Sequence, residues 1–238
     1  MRIWTSFLLV FALSSSGAQL NIRDSSKPLA DPKFASATAR AQFRKVLAVF
    51  ERPKSIFLQL EGGGARRSIW VRGRQARFHR ADVIWAHDGK TLTARFPRQN
   101  IFISGVCSRT DLYETLGNQD HSVDPFLRNL WRSMNPIRQF LGPEMTMTAT
   151  GSIQLSGVGD CFILTGKSAT RRLSIVARKS NGVPVTLTAD SLDRQGKVLS
   201  TSTVTFLKVQ RNLSMPPETF RVKPQGNERR IGISKAPD

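Results

Sequence analysis

The chain is poor in the residues on which most chemistry depends. Its 238 residues include three histidines, two cysteines and a single tyrosine. His79, His87 and His121 are scattered, and none has a second His or Cys at metal-ligand spacing. No G-x-S-x-G elbow occurs, so a serine hydrolase of that type has no support. The sequence therefore offers no catalytic group and no metal set, and no cofactor is expected. Acidic residues are also scarce: 17 Asp and Glu stand against 36 Lys and Arg, a formal charge of +19. A Gly-, Pro- or Ser-rich linker that would divide the chain is missing, which points to one domain.

Long apolar runs are missing too, apart from one at the start. Arg2, the run Phe7 to Leu13 and the small residues Ser16-Gly17-Ala18 have the layout of a secretory signal peptide over residues 1–18. The run falls short of the roughly 20 residues that span a bilayer. The expected location is the periplasm or the extracellular space. Gln19 would then lead the mature chain, and with no Cys at that junction N-terminal lipid attachment is not expected. Export also bears on the basic charge. Such a field favours anionic partners, but an exported protein with dispersed Arg residues is not expected to bind nucleic acid. An anionic membrane surface or the phosphates of envelope polymers fit better. The alternative is a generally basic, soluble surface. In an oxidising compartment Cys107 and Cys161 are expected to form one disulfide, the alternative being two buried thiols.

Several near-motifs fail on context. Thr165-Gly166-Lys167-Ser168 resembles the end of a phosphate loop, but Cys161 stands where the first Gly is needed, and a strand pattern follows instead of a helix. His87-Asp88 precedes Gly89 and reads as a turn before it reads as an acid–base pair.

Periodicity gives the architecture. Residues 19–31 read as a flexible lead-in. Asp31-Pro32 has the form of a helix start, and Phe43, Val46, Leu47 and Phe50 then fall on one helical stripe that must end before Pro53. Short alternating strands follow to about residue 104, with Asp88-Gly89 as a hairpin signal. A second helical stretch begins at Asp124-Pro125 and carries Phe126, Leu127, Leu130, Trp131 and Met134. Strands resume from 152 to 209, Phe220-Arg221-Val222 reads as a last short strand, and the basic tail 227–238 is expected to fray. The order helix, strands, helix, strands predicts an α+β domain over 32–226. It would be one strongly curved antiparallel sheet, an unclosed barrel, with helices covering its concave face.

Aromatic residues are the telling class, with 14 Phe and 4 Trp. Phe57, Trp70, Phe78, Trp85 and Phe102 lie on the first strands, and Trp131 on the helix expected to cover them. Ile69 and Val71 alternate with Trp70, so that strand is apolar on both faces. A sheet covered on one face does not need that. One explanation is a thick ordinary core. The other is an apolar cavity lined by Phe57, Trp70, Phe78, Trp85, Phe102 and Trp131, suited to acyl chains.

The order of these features resembles the periplasmic carriers of outer-membrane lipoproteins, the LolA/LolB-like superfamily. The likeness rests on the helix-to-strand run Phe43 to Leu60 and on the hairpin Asp88-Gly89-Lys90-Thr91-Leu92, with Pro97 beyond it. It continues through Asn181-Gly182-Val183-Pro184-Val185, the turn Asp193-Arg194-Gln195-Gly196, and the closing Phe220–Pro224–Gly226 pattern. It spans roughly residues 40–226. The chain departs from the carriers at Arg95-Phe96-Pro97, where they have an aromatic-Asp-Pro run. The resemblance implies an unclosed barrel with a helical lid. It also implies a non-enzymatic carrier of lipid or acylated lipoprotein, working with membrane-anchored donor or acceptor proteins. The alternative under the same fold is an envelope sensor or scaffold whose cavity is filled by its own side chains.

Overall fold

The computed structural model describes residues 31–107, 125–132 and 134–233. The expected signal peptide, most of the lead-in and His121 lie outside them. Thirteen strands form one curved, unclosed sheet. In chain order they are β1 (Lys33–Phe34), β2 (Ile56–Gly62), β3 (Ala65–Arg72), β4 (Gln75–Arg80), β5 (Val83–His87), β6 (Thr91–Phe96), β7 (Ile101–Val106), β8 (Thr146–Leu155), β9 (Gly159–Lys167), β10 (Arg171–Arg178), β11 (Pro184–Leu192), β12 (Val198–Arg211) and β13 (Arg229–Gly232). Across the sheet the order is β1-β8-β9-β10-β11-β12-β2-β3-β4-β5-β6-β7-β13. The interior neighbours are antiparallel, as the hairpin signals predict. The two outermost pairs, β1 with β8 and β13 with β7, are parallel.

Two α-helices lie among the described residues: α1 (Ala37–Ala48) and α2 (Pro125–Trp131). Helix α1 starts later than Asp31-Pro32 suggests. Ser36 is its N-cap, and its hydroxyl oxygen accepts the Ala39 N–H at 3.1 Å. The residues after Pro32 are drawn instead into β1, where the N–H groups of Lys33 and Ala35 donate to the Met145 and Met147 carbonyls. Phe43, Val46 and Leu47 are buried as the stripe predicts, in one cluster with the inward residues of both halves of the sheet. Helix α2 is shorter than its pattern. It stops at Trp131, Met134 is exposed, and a 3₁₀ turn at Arg138–Phe140 returns apolar side chains to the core.

Two further expectations are corrected. Phe220-Arg221-Val222 is not a strand: Pro217–Phe220 is a 3₁₀ turn, and the chain around it lies across the convex face of β3–β6. The tail does not wholly fray, because Arg229–Gly232 pairs with Ile101–Ser104 as β13. Cys107 and Cys161 are both buried and are not bonded to each other. Cys107 follows β7 and joins the core inside the curve. Cys161 sits on β9 beside Phe162, whose side chain points into that core, so alternation turns Cys161 to the other face. Nine strand steps separate β9 from β7 in the sheet order.

Candidate functional site: the concave aromatic face

Alternation along β4 and β5 sends Phe78, Val83, Trp85 and His87 into the concave side, where all four are buried. Phe78 and Trp85 are register partners with ring centroids 6.2 Å apart. Helix α2 closes over them. The Trp131 ring lies 5.9 Å from Trp85, and its indole Nε1–H donates to the Arg74 carbonyl in the β3–β4 turn at 3.0 Å. That bond satisfies the one polar atom a buried Trp carries.

Beneath Trp131, His87 meets the indole at 5.2 Å in an edge geometry. Its Nδ1 accepts the Gly89 N–H at 3.1 Å, which requires that nitrogen to be unprotonated. Its Nε2–H then donates to the Cys107 carbonyl at 2.8 Å. His87 therefore acts as a clasp joining β5, the β5–β6 turn and the end of β7 under α2, and Asp88 beside it is a turn residue. The Asp88 carboxylate accepts the Lys90 and Thr91 N–H groups at 3.0 and 2.8 Å.

The ring contacts continue across the lid. Phe126 lies 5.5 Å from Phe140 and 5.6 Å, edge-on, from Phe206 of β12, which in turn lies 6.1 Å from Phe50 after α1. Helix α2 thus bridges the two halves of the sheet, with Trp131 on the first half and Phe126 on the second. Phe206 and Phe126 stand in strand and helix stripes the sequence reveals. Their meeting depends on the curvature of the sheet, which no local pattern encodes.

Of the six residues expected to line a cavity, Phe78, Trp85 and Trp131 converge on this face. The other three point to the convex side. Phe57 and Trp70 are register partners there, with centroids 4.9 Å apart. Lys208 lies 5.9 Å from the Phe57 ring and Arg77 lies 5.5 Å from that of Trp70. Phe102 packs with Ala86, Val222 and Ile84 in a separate small cluster.

A strap formed by the chain after β12 covers this outer surface. Phe220 is fully buried beneath the Arg72 guanidinium, 5.0 Å from its ring. Arg72 donates to the Met215 carbonyl, and Arg77 to the Thr219 carbonyl at 3.1 Å. Burial pushes the Arg77 guanidinium down from its usual range; burial, and then the nearby Arg77 charge, push His79 down as well. Farther on, the Val222 N–H donates to Thr93 Oγ1, and Arg95 pairs with Glu228 at 2.7 Å. The two apolar faces of β3 thus have separate partners: the core for Ile69 and Val71, and Phe57 with the Arg77 guanidinium for Trp70.

Among the described residues no group of three or more His, Cys, Asp or Glu could hold a metal ion. Thr165 to Ser168 runs from β9 into a turn before β10, with Gly166 packed against Met145 and Met147, and it forms no phosphate cradle.

An unclosed, helix-covered half-barrel is the class this fold defines. No protein-family model matches the chain, and no curated protein matches it. Solved structures do. LprF from Mycobacterium bovis aligns over 80% of this chain and 99% of its own, at 9% identity and a TM-score of 0.49. The Mycobacterium tuberculosis lipoprotein LppX aligns over 75% and 97%, at 13% identity and 0.44. A chain of the Pseudomonas aeruginosa MucA/MucB complex aligns over 79% and 62%, at 13% identity and 0.39. None of these three reaches a TM-score of 0.5.

Proposed function

We propose that this chain is an exported, non-enzymatic binding protein that takes an acyl chain of a lipid or acylated lipoprotein between its concave sheet face and helix α2. The observation that carries the reading is the attachment of α2. Phe126, Leu127, Leu130 and Trp131 seat it on an apolar surface, and it lies against the first half of the sheet at β3 and β4. Lifting it would uncover Phe78, Trp85 and Phe206 together. An acyl chain entering there leaves water, and each methylene buried contributes about 0.8 kcal/mol. Release then needs a partner that binds the chain better, or closure of the lid. The dispersed basic charge would act at the rim on an anionic headgroup or membrane surface.

The mutual contact of the concave rings favours a second reading, a sensor or scaffold whose interior is filled by its own side chains. A fluorescent fatty acid separates the two. The carrier reading expects saturable binding that Trp131→Asp abolishes while the sheet's circular dichroism persists, and a lipid retained in native mass spectra of detergent-free protein. No probe binding and a clean apo mass leave the scaffold reading.

A further inference from the structure

The two edges of the sheet are finished differently, and among the described residues one has no pairing strand along most of its length. Strand β1 pairs only with Thr146 and Met147 of β8, and the chain then turns away into α1 at Ser36. Among the described residues no strand pairs with that side of β8 from Thr148 to Leu155. These eight residues, Thr-Ala-Thr-Gly-Ser-Ile-Gln-Leu, include no charge and no proline, in a chain with 36 Lys and Arg. Exposed edges are ordinarily protected by such residues, because unpaired N–H and C=O groups recruit another strand.

The direction of the free groups follows from the ladder. The Met145 and Met147 carbonyls point outward to β1, so Thr146 and Thr148 point inward to β9. A bulge between Ala149 and Gly151 resets the alternation, with Gly151, Ile153 and Leu155 opposite Ile163, Cys161 and Gly159. Ser152 and Gln154 are then the residues whose backbone groups face out. Helix α1 packs against β8 and β9 beside this edge. It contains no acid, and it exposes Arg40, whose guanidinium lies 5.6 Å from the Phe34 ring of β1, and Arg44.

We propose that the β8 edge, flanked by the basic face of α1, is a docking site for an extended acidic polypeptide segment, which adds to the sheet as a further strand. Main-chain hydrogen bonds to Ser152 and Gln154 would supply the ladder, and Arg40 and Arg44 would select carboxylates. An acidic partner is favoured over a second copy because each copy carries +19. The site is separate from the concave face and does not depend on lipid binding.

The test uses the full chain and a fluorescein-labelled peptide of alternating Val, Thr and Glu. Binding by anisotropy is expected, falling with added salt and absent for the counterpart with Lys in place of Glu. Ser152→Pro and Gln154→Pro each remove an outward N–H while leaving the β9 ladder intact, and each should weaken binding at least roughly tenfold. Retained exchange protection of the Ile163 amide shows that the variants fold. The double variant Arg40→Glu, Arg44→Glu should weaken binding without touching the strand. Three results would overturn the proposal: binding indifferent to both proline variants, Ser152 and Gln154 amides already protected in the free protein, or a dimer that the same prolines dissociate.

Discussion

The sheet has two halves built on different terms. In β2–β7 both faces are engaged: inward residues such as Ile69, Phe78 and Trp85 meet α2 and the core, and outward residues meet the strap led by Phe220 and Val222. In β8–β12 the inner face is as apolar, with Phe162, Leu164, Ile175, Leu187 and Phe206 buried. Its outer face carries no aromatic strap among the described residues, and short polar side chains stand there among exposed apolar ones such as Ile153 and Leu199. Thr188 and Thr203 meet at 3.3 Å across β11 and β12, and Thr201 donates to Asp190 at 2.8 Å. The contrast shows that aromatic content on a strand reports how many faces are covered, and not what covers them. Half of the residues expected around a ligand, Phe57, Trp70 and Phe102, belong to this outward packing.

That comparison can be broken by substitution. Phe220→Ala empties a fully buried site on the outside of the first half and should cost about 3 kcal/mol or more in urea unfolding. Thr188→Ala at a corresponding outward position of the second half should cost under about 0.5 kcal/mol. Equal losses would mean that the strap adds no packing of its own. Next in size is Gly182→Ala in the β10–β11 turn. Its φ is +72°, and a Cβ there would approach the Lys45 carbonyl oxygen at 2.6 Å, so about 1–3 kcal/mol should be lost through strain between the turn and α1. Ser36→Ala removes the α1 cap over the second half and should cost about 1 kcal/mol, read as a lower melting temperature.

The finest distinction is one of pH. The Gln225 N–H and the Arg95 guanidinium hold the Glu228 carboxyl below the usual carboxylate range, burial notwithstanding. A depressed folded-state value means that the contact stabilises above the ordinary carboxylate range of about 4 and is lost as pH falls through the lowered value. Exchange protection of β13 amides should therefore fall on acidification before that of β3. Glu228→Gln should remove this pH dependence from β13 without altering that of α1.

Much of this arrangement is legible before any coordinates. The stripe Phe43, Val46, Leu47 and Phe50, the hairpin at Asp88-Gly89 and the order of helices and strands are local patterns, and local patterns place α1, α2 and the antiparallel ladder. What escapes is what distant segments do. Asp31-Pro32 resembles a helix start, but β8, more than a hundred residues on, claims the next residues as an edge strand. Phe220 resembles a strand residue, but the covering it gives β3 depends on the chain doubling back over a surface whose exposure the sequence does not state. The cysteine pair fails for the same reason. An even count says that two thiols exist, and only the sheet order places them nine strands apart. At the site, Trp85 and Trp131 are readable as inward residues. The clasp formed by His87 is not, since its two partners are a turn N–H and a carbonyl.

The parallel pairing of β13 with β7 joins residues 229 and 101, a sequence separation of 229 − 101 = 128. Closing so long a loop is entropically late, and the strap leaves the ribosome after strands β1–β12. Until it arrives, Ile84, Ala86 and Phe102 form an uncovered apolar surface on a half-barrel that is otherwise assembled. A chain cut short before Met215 would keep that surface permanently. Premature termination should accordingly yield a species that assembles its hairpins and then sticks to other chains, and nascent protein should need shielding until residues 215–232 have emerged.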